Sequence, residues 1–139
     1  MEQSPKEVSF PSDRQPVVRI LAMPADTNPS GHIFGGWIMS QMDIAGGIVA
    51  AGRANGRVAT VAVTSMEFHK PVFVGDLVSC FADIVKTGNT SITVQIDVFA
   101  QRWHKNILHT DKVTQAVIVY VALDHEGQPR MLSTRPLEQ

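Results

Sequence analysis

The sequence predicts an α+β domain, in which one long helix is followed by a run of antiparallel strands. Three observations carry the prediction. Apolar residues recur at helical spacing from about residue 35 to residue 52. Beyond that point the period changes to two, in four separate segments rich in β-branched and aromatic residues. The segments are punctuated by short stretches of glycine, asparagine and proline, and no internal repeat or low-complexity tract interrupts the order.

The first sixteen residues, "MEQSPKEVSFPSDRQP", are polar and proline-bearing and read as a loose tail, because they offer little to bury. The folded domain is expected over residues 17–134, with 135–139 as a short C-terminal tail. "PVVRILAM" reads as a first strand and "PADTNPSG" as the loop that closes it. The four segments after the helix are "RVATVAVTSMEF", "LVSCFADIVK", "TSITVQIDVFAQR" and "KVTQAVIVYVALD". "PVFVGD" and "KTGNT" are turns between them, and "RWHKNILHT" reads as a loop. In "SITVQIDVF", Ile92, Val94, Ile96 and Val98 share one face, while Ser91, Thr93, Gln95 and Asp97 share the other, which is expected to be wet. "AVIVYVAL" is apolar on both faces and reads as central or as covered by a partner.

Composition narrows the function classes. With 139 residues, 44% of them hydrophobic, the chain suits one domain. Twelve basic against thirteen acidic residues, none gathered into a block, make nucleic acid or an anionic membrane surface a poor partner. The lone Cys80 forms no internal disulfide and reads as a core thiol in a reducing compartment. With no signal-like run or membrane-length apolar segment, the expected location is the cytoplasm. The histidines show no metal-ligand spacing and no Gly-x-Ser-x-Gly elbow is present, so no metal site is expected, and Ser40 and Ser65 are read as structural.

One residue does not fit a helix selected for stability alone. Asp43 stands mid-helix, with no lysine or arginine within a turn to pair with it. In projection, Gly35, Ile38, Met39, Met42, Ala45, Gly46 and Val49 form one apolar arc, and Trp37, Ile44 and Ile48 lie nearly opposite. Such a helix is enclosed by its own sheet or closed over by a second subunit. Asp43 lies in a stripe of small residues, Gly36, Ser40, Gly47 and Ala50, which leaves space beside a carboxylate that would be costly to bury unpaired. The alternative is an acid bonded to a neighbouring strand or subunit. "GHIFGG" just upstream places unpaired N–H groups at the positive end of the helix dipole, which suits an oxyanion or a thioester carbonyl. It matches neither the dinucleotide nor the P-loop pattern.

The stretches "ADTNPSGHIFGGWIMSQMDIAGG", "GRVATVAVTSMEFHKPVFVGD", "GNTSITVQIDVFAQR" and "AVIVYVALDHEGQPRML" together resemble the hotdog-fold acyl-coenzyme A thioesterases of the bacterial YciA-like type, related to the brain acyl-CoA hydrolases. The resemblance runs over residues 23 to 132. It implies a long helix wrapped by an antiparallel sheet, dimers whose sheets join edge to edge, thioester sites at the dimer interface, and further assembly as trimers of dimers. Coenzyme A enters as part of the substrate, with no separate cofactor. Position by position, the family's catalytic acid falls on Asp43 and its asparagine on Asn28, the two meeting across the interface. The oxyanion role falls on the backbone N–H of Gly35 or Gly36, and coenzyme A contacts fall on Gly88, Thr90 and Ser91. Asn89 stands where relatives often carry a basic residue, which leaves Arg57, Lys70 or Arg130 as substitutes for the phosphates. His32 also departs from the family pattern and reads as a solvated loop residue. Two other readings stay open: a hotdog hydratase or dehydratase, for which only His32 is placed to act as base, and a module that binds acyl-CoA or nucleotide without turnover.

Overall fold

The computed structural model describes residues 8–133. Residues 1–7 and the expected C-terminal tail lie outside that range. Strand β1 (Val18–Leu21) leads through a single turn of 3-10 helix, Pro24–Asp26, into helix α1 (Gly35–Ala54). Strands β2 (Val58–Phe68), β3 (Leu77–Thr87), β4 (Ser91–His104) and β5 (Ile107–Ala122) follow. All pairings are antiparallel, in the order β1-β3-β4-β5-β2, so β1 and β2 are the edges of one sheet. The predicted architecture of one helix and one antiparallel sheet is the observed one.

Helix α1 lies on one face of the sheet. Its Ile38, Met42, Ala45 and Ala50 pack into a core with Ile92, Val94, Ile96 and Val98 of β4 and with Ala116, Ile118 and Tyr120 of β5. The helix runs two residues further than expected and ends at Asn55, whose φ of 54° supplies the left-handed C-cap that asparagine tolerates. Arg130 adds a second cap by donating to the carbonyl of Ala54. The side of α1 opposite the core is open in a single chain: Ile44 and Ile48 are 50% and 54% exposed. Met39, expected on the covered arc, is also exposed.

Two expectations are corrected. "RWHKNILHT" is no loop: β4 and β5 continue through it to the pair His104 and Ile107. The reversal uses only Lys105 and Asn106, both at positive φ (50° and 63°). This is the geometry of a primed hairpin turn, built here without the glycine that usually signals it. The outer face of β4 is likewise not wet. Thr93 and Asp97 are buried there, because residues 8–16, expected as part of a loose tail, pack across that face. Phe10 meets Phe81 and Phe99 edge to face, with centroids at 5.4 and 5.9 Å. Arg14 lies over the Phe81 ring and donates to Asp83 and to Asp97, the latter at 3.1 Å. Two aromatic rings on an outer face need cover, and alternation within one strand cannot show which distant segment supplies it. Because Phe10 is only partly buried, Phe10→Ala is expected to destabilise the fold by ~1.5 kcal/mol, below the range for a fully buried phenylalanine. The check is a fall of a few degrees in melting temperature.

Candidate active site

Thr60 of β2 and Tyr120 of β5 stand opposite each other in the sheet register, so their side chains share a face, the one that meets α1. Both hydroxyls converge on Asp43. Thr60 Oγ1 donates to Asp43 Oδ1 at 2.7 Å, and the Tyr120 hydroxyl lies 3.0 Å from the same oxygen and 3.1 Å from the Asp43 carbonyl. A register shift in β2 falls between Thr60 and Ala62, immediately beside this contact, where a bulge re-aims the strand. Tyr120 reaches Asp43 by passing beneath Gly46, where a Cβ would lie 2.3 Å from its hydroxyl. Burial, and then the Asp43 charge, hold the phenol pKa well above its ordinary value, so it remains a donor throughout the neutral range.

Asp43 itself is exposed in the single chain. It borders a cleft of about 220 Å³ lined also by Met39, Ser40, Thr60, Val63, Met66 and Ile118. The small residue beside it leaves the predicted space, and Ser40 spends its hydroxyl on the Gly36 carbonyl, a structural role as expected.

Asn28 belongs to a different cleft, of about 340 Å³, which it shares with His32, Gly35, Phe68, His69 and Lys70. Its side-chain carbonyl accepts from the N–H groups of Ser30 and His32, at 2.9 and 3.1 Å, closing a turn in which Gly31 takes a φ of 85°. The amide NH₂ is therefore the part of Asn28 left to face a ligand. Nearby, α1 begins without a side-chain cap, and the N–H groups of Gly35 and Gly36 have no acceptor among the described residues. Within one chain Asn28 and Gly35 are thus brought together and Asp43 is not: it lies eight residues along the helix, roughly 12 Å of axial rise away.

Gly88, Thr90 and Ser91 form the reversal between β3 and β4, where the Gly88 N–H donates to the Ser91 carbonyl at 2.8 Å. The Thr90 carbonyl accepts from Ala122 and the Arg57 carbonyl from Leu123, so the reversal, the end of β5 and the start of β2 meet at one end of the sheet. Arg57 lines a cleft of about 300 Å³ there and makes no ion pair among the described residues. Arg130 shares that cleft, but its guanidinium is spent on the carbonyls of Leu123 and Ala54. Lys70 lies in the Asn28 cleft instead. Cys80 is fully buried, and burial pushes its thiol up to about 12, as befits a core residue without reactivity. No group of three or more histidine, cysteine, aspartate or glutamate side chains among the described residues is arranged to hold a metal ion, and no described helix is long and apolar enough to cross a membrane.

The family model of the thioesterase superfamily matches residues 30–103, a span that holds the uncapped helix start, Asp43, Thr60 and the reversal at 88–91. The chain belongs to the thioesterase superfamily. Within it, this thioesterase-superfamily chain is 52% identical over 117 residues to the acyl-CoA thioester hydrolase YciA of Escherichia coli, covering 84% of the chain and 89% of that protein. Its fold is the hotdog fold. It superposes on a hexameric hotdog-fold thioesterase of Campylobacter jejuni with a TM-score of 0.85 at 42% identity, covering 88% of this chain and 93% of that one. A hexameric thioesterase from Yersinia pestis gives a TM-score of 0.81 at 51% identity, covering 91% and 100%.

In this superfamily member, sequence reasoning passed over Thr60 and Tyr120. A signal was present for each. Tyr120 is the single tyrosine of the chain, placed in the otherwise aliphatic run "AVIVYVAL". Thr60 opens the hydroxyl-bearing face of "ATVAVTSM". Neither pattern says that the two are cross-strand partners aimed at one carboxylate.

Proposed function

We propose that the chain hydrolyses acyl-coenzyme A thioesters to coenzyme A and a carboxylic acid, with Asp43 as general base. The observation that carries the reading is the asymmetry of the Asp43 carboxylate, which lines the cleft: both hydroxyl donors engage Oδ1, and Oδ2 accepts no hydrogen bond among the described residues. Oδ2 would take a proton from water as the water oxygen bonds to the thioester carbon. The carbonyl electrons move to oxygen, where the N–H groups of Gly35 and Gly36 and the Asn28 amide supply donors. Collapse breaks the carbon–sulfur bond, and the proton held by Asp43 passes to the leaving thiolate. Asn28 suits the donor role because its carbonyl is already committed to its own loop.

Asn28 and Asp43 lie in separate clefts of one chain, so the site is completed by a second copy. The unpaired β2 edge, with Val61 and Val63 exposed on it and Ile44 and Ile48 exposed on α1, supports edge-to-edge dimers that bring one protomer's Asn28 cleft against its partner's Asp43. Closing this face also covers the open side of the helix. The hexamers of the Campylobacter and Yersinia relatives support trimers of dimers. A second apolar patch of Trp103, Ile107 and Leu108 at the β4–β5 hairpin supports a further contact, and Trp103→Asp is expected to leave dimers when mass is measured by light scattering. Gly88, Thr90, Ser91 and Arg57 hold the coenzyme A moiety at their end of the sheet, no separate cofactor is required, and the reaction runs in the cytoplasm, in keeping with the single buried thiol. The test is release of free thiol from acyl-CoA substrates of graded chain length; absence of turnover at every length would sink the reading.

A further inference from the structure

We infer that Tyr120 is a positioning residue whose hydroxyl tracks the ionisation of Asp43, and this rests on the hydrolase reading above. A phenol has one hydrogen to donate, and here it faces two acceptors at nearly equal distance, Asp43 Oδ1 at 3.0 Å and the Asp43 main-chain carbonyl at 3.1 Å. While the carboxylate is ionised, Oδ1 is the stronger acceptor, and the phenol together with Thr60 pins the group by Oδ1, leaving Oδ2 without a donor among the described residues. Once Oδ2 has taken the proton of the attacking water, Oδ1 weakens as an acceptor. The phenol hydrogen can then swing to the main-chain carbonyl without any movement of the buried ring. The base thus stays held in one orientation in both of its protonation states, and no buried hydroxyl is left without an acceptor in either.

The packing is specific to this arrangement. Tyr120 is 1% exposed, and the space its hydroxyl occupies exists because residue 46 is glycine. The other walls of the cleft bring no titratable group to Asp43: α1 presents Met39 and Ser40, β2 presents Thr60, Val63 and Met66, and β5 presents Ile118. The phenol is therefore the one ionisable side chain among the described residues that contacts the base.

Tyr120→Phe keeps the ring and removes the donor. It is expected to lower kcat ~10-fold or more while KM stays within about twofold, since Tyr120 contacts the base and not the substrate. Gly46→Ala should also lower kcat by displacing the hydroxyl, and the double variant should lose less than the product of the two single losses.

Because the chain has one tyrosine, replacing tyrosine by 3-fluorotyrosine during expression labels this position alone. The fluorine resonance is expected to titrate with the midpoint of the acid limb of the kcat/KM profile, and to stop doing so in Asp43→Asn. A resonance that stays flat through the acid limb, or a Tyr120→Phe enzyme with the wild-type kcat, overturns the inference while leaving the hydrolase reading intact. A wild-type protein without turnover overturns both.

Discussion

Asp43→Ala is expected to lose ~100-fold or more in kcat against every acyl-CoA that the wild type accepts, with little change in melting temperature. On the mechanism proposed above, the loss in rate follows from removing the carboxylate that lines the cleft. The small effect on folding follows from exposure: the carboxylate is open to solvent in the single chain, so its removal opens no cavity in the core. Tyr120 keeps an acceptor in the main-chain carbonyl of residue 43, so the variant does not strand a buried hydroxyl. The two readouts together separate catalysis from structure. A variant that keeps its rate shows that the base is another group, and a variant that loses rate and melting temperature together shows that Asp43 is a structural acid.

The second large effect is complementation. Asn28→Ala and Asp43→Ala, each nearly inactive alone, are expected to recover about a quarter of wild-type turnover when co-expressed in equal amounts. The arithmetic is that of a shared site. If each site takes Asp43 from one protomer and Asn28 from its partner, random pairing gives one site in about four both intact residues, whatever the higher assembly. If the two residues instead act within one chain, no pairing restores a complete site and turnover stays at the background of the variants. The geometry sets the expectation, since the two residues open into separate clefts of the same protomer. Tandem purification through two different tags, followed by thiol release, measures it directly.

Much of this protein was determined by its sequence alone. Helical spacing over 35–52 and period-two spacing beyond it correspond to α1 and to β2 through β5, because each element buries one continuous apolar stripe and the stripe is written locally. Asp43 was legible as the residue a stable helix has no reason to keep, and Gly35 and Gly36 as an uncapped helix start. The tertiary structure decided what depends on residues far apart in the chain. Phe10 and Arg14 cover a strand face more than eighty residues away, so alternation within β4 could not reveal that Asp97 is buried. The Lys105–Asn106 turn was hidden because its left-handed backbone lacks the usual glycine. Thr60 and Tyr120 become partners of Asp43 only through the register of β2 on β5 and the passage that Gly46 leaves open. Local spacing determines which face each side chain takes, because backbone geometry repeats over a few residues. Which faces meet is set by packing between elements, and that is where the carboxylate acquired its donors.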